Sequence, residues 1–312
     1  MNHACHHWDR LISMIGQIRG VVPVVHTPFL ADDSMDYASL EREMQWALGL
    51  QIDGFCTGMV SELQRLTVDE RNQLHQWLGE FDRGDRCFVA SVGAESKTAA
   101  VEFAKSAVNN GADAVMAIPP ISVALPADEL QDYFTAIVQA VPVPVIVQDA
   151  SGYVGAEIPL SVSCQLFEKY GSERIMFKPE ANPLGTKLSA LRDATQGEAT
   201  IFEGSGGISL MDSYSRGIVG TIPGMEFLEQ VICVWKALES GAVDAAYRAW
   251  FPLCALVSLQ LQAGLDGFLA VEKYIMQRKG LFSTDRRRQP YKWEMDKETC
   301  LELERLLRFL SH

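Results

Sequence analysis

The sequence predicts an α/β protein, namely a (β/α)8 TIM barrel with a C-terminal helical extension. Short apolar runs recur about every thirty residues, and each is followed by a segment with the hydrophobic spacing of a helix. Most of these runs are apolar throughout rather than alternating, which is typical of parallel strands buried on both faces. Strand–helix units of this kind, when there are eight of them, close into a barrel.

Each apolar run is expected to form one strand of the barrel. The eight runs are Val21–Val25, Gly54–Thr57, Cys87–Val92, Ala114–Ile118, Val145–Val147, Ile175–Phe177, Thr200–Phe202 and Ile218–Ile222.

The segments between the strands begin with residues that are common at helix starts. Four of them are predicted to be helical: Tyr37–Leu50 after Asp36, Val68–Phe81 after Thr67, Lys97–Asn110 after Ser96, and Ala127–Ala140 after Pro126. Beyond residue 240 helical spacing continues in Ala242–Leu261, Gly264–Lys279 and Lys297–Leu310. We therefore expect a helical or flexible N-terminal segment over residues 1–19, the barrel over 20–240 and a helical cap over 241–312.

A doubly wound open sheet is the competing architecture. It predicts a glycine-rich nucleotide fingerprint after the first strand, where this chain has His26-Thr27-Pro28-Phe29. A later stretch, Gly204-Ser205-Gly206-Gly207, is rich in glycine. It is either an anion-binding turn or only a tight turn between strand and helix.

Composition and charge exclude several classes of protein. The 312 residues carry a formal net charge of −13, so we expect no nucleic-acid partner, and the cluster Arg286-Arg287-Arg288 is interpreted as a solvated loop. No apolar stretch is long enough for a membrane span. Seven scattered cysteines favour a reducing, cytoplasmic compartment. His3, Cys5, His6 and His7 lie in a terminal segment without fixed geometry, so no metal site is expected.

Functional side chains of a barrel lie at the C-terminal ends of its strands. The polar residues at those positions are Thr27, Ser61, Glu62, Gln148, Asp149, Lys178, Glu180, Glu203 and Ser205. Lys178 stands out because it ends the apolar strand Ile175-Met176-Phe177. A buried amine loses its proton more readily and can then attack a carbonyl to form a Schiff base. The alternative is a lysine that forms an ion pair with Glu180 or Asp149 and only fills the barrel mouth.

The order and spacing of several motifs resemble the dihydrodipicolinate synthase / N-acetylneuraminate lyase family, which are class I aldolases and lyases on a (β/α)8 barrel. The similarity extends over about residues 18–240. It rests on Gly20-Val21-Val22-Pro23 with Thr27-Pro28-Phe29, Asp36, Gly54 to Gly58 with Glu62, Leu66-Thr67 with Glu70-Arg71, Gly111-Ala112-Asp113-Ala114 before Pro119-Pro120, Pro144-Val145-Ile146-Val147, and Phe177-Lys178.

The resemblance implies that Lys178 is the Schiff-base lysine for a 2-keto acid such as pyruvate. It also implies that the loop from Gly58 to Glu62 binds the keto-acid carboxylate through backbone amides, although Met59 and Val60 replace two hydroxyl residues of the family. Gln148 and Ile121 stand where the family has tyrosines that relay protons. Tyr153 falls near the place of an arginine that binds an aldehyde substrate. We therefore do not expect an enzyme of lysine biosynthesis.

The variant pattern is similar to the 2-keto-3-deoxy sugar-acid dehydratase/aldolase branch, in particular its 2-keto-3-deoxy-L-arabonate dehydratases. The similar stretches are Val147-Gln148-Asp149-Ala150, Ser61-Glu62, Phe177-Lys178 with Glu180, and Lys187-Leu188. That likeness implies a lyase that starts from a lysine imine, removes a proton at the 3-position and loses a hydroxyl. The alternatives are a pyruvate-dependent aldolase of the same family and a catalytically impaired barrel that only binds a keto acid.

Roles follow for the candidate residues. We expect Lys178 to form the imine, and Ser61, or a water held by Glu62 or Glu180, to move the protons, with Gln148 beside them. Asp149 is expected to orient Gln148 or to bind a substrate hydroxyl. The other expected substrate-binding residues are Thr27, Gly58, Met59, Val60, Tyr153, Gly204 and Ser205. No metal or nucleotide cofactor is expected, and the resemblance implies a homo-oligomer, either a tetramer or a dimer.

Overall fold

A computed structural model describes residues 18–310 and confirms the barrel. Its eight strands are all parallel, and each lies within a few residues of its predicted position. They are β1 (Gly20–Val21), β2 (Gly54–Cys56), β3 (Cys87–Ser91), β4 (Ala114–Ala117), β5 (Val145–Asp149), β6 (Ile175–Pro179), β7 (Thr200–Glu203) and β8 (Gly220–Thr221).

The strands follow one another around the barrel in the order β1-β8-β7-β6-β5-β4-β3-β2. The remaining seam, between β1 and β2, is bridged by Val24 and Cys56. Val25 N donates to Cys56 O at 2.8 Å, and Cys56 N donates to Pro23 O at 2.9 Å. β1 is shorter than predicted because Pro23 has no N–H with which to continue the ladder.

Helices lie between the strands, as predicted. The bounds are α1 (Tyr37–Gly49), α2 (Val68–Glu80), α3 (Lys97–Asn109), α4 (Ala127–Ala140), α5 (Leu160–Tyr170), α6 (Leu184–Ala194), α7 (Leu210–Ser215), α8 (Leu228–Glu239), α9 (Val243–Leu261), α10 (Leu265–Arg278) and α11 (Lys297–Leu307). The expected cap residues accept hydrogen bonds at three helix starts: Asp36 from Ser39 N, Thr67 from Glu70 N, and Ser96 from Ala99 N. Two short 3-10 turns, Met59–Ser61 and Leu63–Arg65, follow β2.

The apolar core has two parts. One fills the barrel with inward-facing side chains such as Met116, Ile146 and Met176. The other packs the outer face of the strands against the helices, and it includes Val147 and Phe177. Because side chains alternate along a strand, the residues that follow the inward-facing ones by two positions also face inward.

The C-terminal helices pack on the barrel, and α9 contacts α8, α10 and α11. The loop with Arg286-Arg287-Arg288 is tied to the barrel, because Arg286 pairs with Asp33 and Arg288 with Glu70, each at 2.5 Å. This corrects the interpretation of that cluster as merely solvated. The terminal residues His3, Cys5, His6 and His7 lie outside the described residues. Within residues 18–310, no helix combines the length and apolarity required to cross a membrane.

Candidate active site

A cavity of about 50 Å³ lies at the C-terminal ends of the strands, where a barrel carries its functional groups. Most of its lining comes from positions singled out in the sequence. These are Gly58, Met59 and Val60 after β2, Gln148 on β5, Tyr153, Lys178 and Glu180 at β6, and Gly204 after β7. The cavity is large enough for a few non-hydrogen atoms, because one water needs roughly 10–15 Å³.

Lys178 and Gln148 are neighbours in the register of β5 and β6 and both face the cavity. Lys178 is 3% exposed, and its Nζ lies 2.9 Å from Oε2 of Glu180. Gln148 Nε2 donates to the same Oε2 at 2.5 Å. The ion pair compensates the buried amine for its lost hydration, and it leaves the amine on the wall of the cavity.

Glu180 is a buried carboxyl beside the amine. Burial raises the pKa of its carboxyl, while the Lys178 amine and the Gln148 amide counteract part of that rise. A buried carboxyl with a raised pKa beside an amine is typical of acid–base sites. Oε1 of Gln148 is buried and accepts no hydrogen bond from residues 18–310.

The loop after β2 is braced by hydroxyls that do not themselves line the cavity. Ser61 Oγ accepts from Gly58 N at 3.0 Å and donates to Val25 O, while Thr27 Oγ1 donates to Ser61 O at 2.6 Å. The N–H groups of Met59 and Val60 begin the 3-10 turn and have no acceptor within it. Met59 and Val60, whose amides are the expected carboxylate donors, therefore line the cavity on a turn that Ser61 and Thr27 hold in place.

Gly204 makes room for the lysine. A Cβ at this position would lie 2.4 Å from both Lys178 Cε and Glu180 Oε1.

Tyr153 packs edge-to-face on Phe268 of α10 at a centroid distance of 5.7 Å, and both line the cavity. Burial raises the pKa of the Tyr153 hydroxyl, which therefore stays protonated as a hydrogen-bond donor.

Besides Ser61 and Thr27, three further predicted residues lie apart from the cavity. Asp149 accepts from Ser151 N and Ile158 N, each at 3.0 Å, and so holds the loop after β5 on the outer side of the strand. Oε1 of Glu62 pairs with Lys273 Nζ at 3.1 Å, and its Oε2 accepts from Arg288 N. Ser205 Oγ accepts from Ser209 N at 2.9 Å. Their polar atoms serve loops and the C-terminal segment rather than the amine.

The sequence analysis missed Glu272, which reaches the cavity from α10 and is fully buried. Burial and the neighbouring Glu226 raise the pKa of Glu272 well above its ordinary value, although the nearby Lys273 acts to lower it. One signal was present in the sequence. Glu272-Lys273 directly follows the apolar run Phe268–Val271, and charged residues are seldom fully buried unless they are paired.

Sequence comparisons relate the chain to known proteins. The sequence model of the dihydrodipicolinate synthetase family matches residues 17–309. An L-2-keto-3-deoxyarabonate dehydratase of Azospirillum brasilense is 27% identical over 302 residues, which are 94% of this chain and 94% of that enzyme. A 4-hydroxy-tetrahydrodipicolinate synthase of Methanococcus vannielii is 24% identical over 78% of this chain and 84% of that one.

Solved structures share the fold. The crystal structure of a dihydrodipicolinate synthase from Rhodopseudomonas palustris superposes with a TM-score of 0.85 at 24% identity, and the match covers 94% of this chain and 98% of that one.

Proposed function

Because the chain belongs to the dihydrodipicolinate synthetase family, we propose that it is a lyase that binds a 2-keto acid as an imine on Lys178. The substrate we propose is a 2-keto-3-deoxy sugar acid, and the reaction is loss of water, as the name of the Azospirillum brasilense relative states for that enzyme.

The observation that carries the proposal is the position of the Lys178 amine. It is buried, it faces the cavity, and it lies 2.9 Å from a carboxylate that can take up its proton. A neutral amine in such a place attacks a carbonyl carbon, and the carbonyl oxygen leaves as water to give an iminium. The positive iminium then acts as an electron sink for bond breaking at the neighbouring carbons.

The groups around the amine fit the steps that follow. The amides of Met59 and Val60 bind the substrate carboxylate, which fixes C2 at Lys178. Glu180 takes a proton from C3, and the electron pair of that C–H bond forms an enamine. The hydroxyl at C4 then leaves with a proton returned by Glu180, so that one water is released and the carboxylate is regenerated. Gln148 keeps Glu180 in position and offers Oε1 to a substrate hydroxyl.

Two observations favour dehydration over the reaction of a synthase. Gln148 and Ile121 carry no hydroxyl at the places where the resemblance implies relay tyrosines, and Ile121 N donates to Glu95 in a surface loop. The pairing of Glu180 with both Lys178 and Gln148 supplies a carboxyl in their stead. A retro-aldol lyase of the same family is the second candidate. It would release pyruvate, whereas a dehydratase would not.

The imine step needs neither metal nor nucleotide. We further propose that the protein acts in the cytoplasm as a homo-oligomer, a dimer or a tetramer, which light scattering of the purified chain tests directly.

Trapping with borohydride tests the imine. Wild-type protein with pyruvate or a 2-keto-3-deoxy sugar acid should gain the mass of the reduced ligand on the peptide that contains Lys178. Lys178→Met should gain none. The control Lys187→Met changes a lysine of the outer barrel face that pairs with Glu157, and it should react like the wild type. Absence of an adduct with any 2-keto acid, or an adduct at another lysine, refutes the proposal.

Product analysis separates the two candidate reactions. Turnover of a panel of 2-keto-3-deoxy acids is followed for pyruvate release and for water loss in parallel. Water loss without pyruvate supports the dehydratase, and stoichiometric pyruvate supports the aldolase instead.

A further inference from the structure

A second group of buried ionisable side chains lies on the β1–β8 side of the cavity. His26 follows β1, Glu226 follows β8, and Glu272 lies in α10, and one donor atom of each lies within 4.8 Å of the other two. Nε2 of His26 is 3.8 Å from Glu226 Oε2 and 3.6 Å from Glu272 Oε2. The three side chains converge from separate elements on one point in the interior.

Neighbouring groups orient these donors. Nδ1 of His26 lies 3.0 Å from Glu43 Oε1, and Met225 N–H points at Nε2 from 3.5 Å. The contact from Met225 favours the tautomer in which Nδ1 carries the proton, whereas the Nδ1–Glu43 pair is close but not aligned as a hydrogen bond. Gln260 Nε2 donates to Oε1 of Glu226 at 2.7 Å, which leaves the other oxygen of that carboxylate to face the histidine. A carboxylate beside the far nitrogen of the imidazole is a usual neighbour of a metal-ligating histidine.

The group lacks a compensating charge. Four carboxylates are buried here, those of Glu43, Glu62, Glu226 and Glu272. Glu62 pairs with Lys273 at 3.1 Å and with Arg65 at 3.4 Å. Within residues 18–310, the other three have only the His26 ring as a basic group within 4 Å. Three carboxylate oxygens accept no hydrogen bond from residues 18–310: both oxygens of Glu272 and Oε2 of Glu226. Buried charges are normally paired or bound to a metal, because an uncompensated one is costly. A dication at the common point supplies the missing charge.

We propose that His26, Glu226 and Glu272 bind a divalent transition-metal ion, Zn²⁺ or Mn²⁺, on the wall of the cavity. Tetrahedral zinc with bonds near 2.1 Å separates its donors by about 3.4 Å, which is close to the separations of 3.8 and 3.6 Å between His26 Nε2 and the two carboxylates. Imidazole and carboxylate ligands suit these ions. A Cβ at Gly224 would lie 2.2 Å from Glu226 Oε2, so the glycine leaves the donors their space. The site stands on its own geometry and does not depend on the proposed reaction.

Glu272 belongs to both the ion site and the cavity, which gives the ion access to a ligand. Three protein donors leave at least one coordination position open, as in catalytic rather than structural zinc sites. That position takes a water or an oxygen of a small molecule held in the cavity.

Metal binding by the full-length chain tests the proposal. Protein stripped with a chelator is titrated with Zn²⁺ or Mn²⁺ in a calorimeter, and the bound metal is counted by mass spectrometry after gel filtration. The wild type should bind one ion per chain at this site. Glu226→Gln and Glu272→Gln should lower the affinity by more than about 100-fold, and Glu43→Gln by about 10- to 100-fold, the range found for residues that orient a ligand.

Matched variants control for folding and for other metal donors. Glu203→Gln changes a fully buried carboxylate whose oxygens already accept from Ser205 N and Thr221 Oγ1, and it should bind metal like the wild type. The terminal His3, Cys5, His6 and His7 are present in every variant, so ions bound there remain in all of them. Without metal, Glu272→Gln should melt no lower than the wild type, because it removes a like-charge contact. No saturable binding by the wild type, or equal binding by Glu226→Gln and Glu272→Gln, overturns the proposal.

Discussion

Adding one methyl group next to the amine tests the imine site without removing a functional group. In Gly204→Ala the new Cβ would lie 2.4 Å from Lys178 Cε and Glu180 Oε1, whereas ordinary contacts begin near 3.4 Å. The lysine and the carboxyl must therefore move by about 1 Å. A displacement of that size at a reacting group costs about 100-fold in rate, or about 2.7 kcal/mol in the barrier.

The assay is kcat/KM for turnover together with the rate of borohydride trapping. Both should fall about 100-fold in Gly204→Ala, while circular dichroism stays that of the wild type. Gly49→Ala adds the same methyl at the end of α1, where nothing lies within 4 Å, and it should leave both rates unchanged. The reasoning fails if Gly204→Ala is folded and retains activity within about threefold of the wild type, because the amine would then not work in the position described.

Two further predictions concern protons. Burial lowers the pKa of His75 to about 3, well below the value of about 6.5 in an unfolded chain. His75 therefore favours folding fully above pH 6.5, and its contribution is lost as the pH falls toward 3, at about 1.4 kcal/mol per pH unit. Urea unfolding at several pH values between 6 and 4 gives the slope of the unfolding free energy against pH. That slope should be smaller in His75→Gln than in the wild type by about 1.4 kcal/mol per pH unit, the contribution of one proton. Equal slopes contradict the burial argument. Gln148→Met removes a hydrogen bond that favours the ionised form of Glu180, so the acidic limb of the kcat/KM profile should move to higher pH. Asp149→Asn, one residue further along β5 and facing away, should leave that limb in place, and a shift in this variant as well would contradict the assignment to Glu180.

The barrel was predictable because its signals are local. Each strand is a short apolar run, and three of the four helices predicted from their first residues start at a side chain that caps them, such as Thr67 with Glu70. The observed strand boundaries differ from the predicted ones where a single residue cannot make the hydrogen bonds of the sheet. At β1, Pro23 cannot donate to the ladder, so the strand shrinks to two residues and closure depends on Val24.

The candidate site was predictable only in part, because position at a strand end does not tell which way a side chain points. Gln148 and Asp149 are adjacent on β5, so the alternation of a strand sends them to opposite faces. Gln148 lies at the cavity and Asp149 binds loop amides. The pairing of Glu62 with Lys273 was not accessible from the sequence, since the two lie 211 positions apart and meet only when α10 packs over the barrel mouth.

Burial alone does not distinguish a reactive lysine from a structural one, and this chain contains both. Lys178 and Lys273 are each at most 3% exposed, and each lies within 3.1 Å of a carboxylate oxygen. The ammonium of Lys273 also donates to Thr27 O and lies over the ring of Phe29, so protein groups surround it. Lys178 instead lies on the wall of a cavity, beside Gly204, the residue whose lack of a side chain keeps that space open. The position of Lys178 at the end of an apolar strand therefore left both roles open, a reactive amine and an ion-paired structural one. What separates the two amines is access to a space that a substrate can fill, and only the packing of the barrel mouth creates that space.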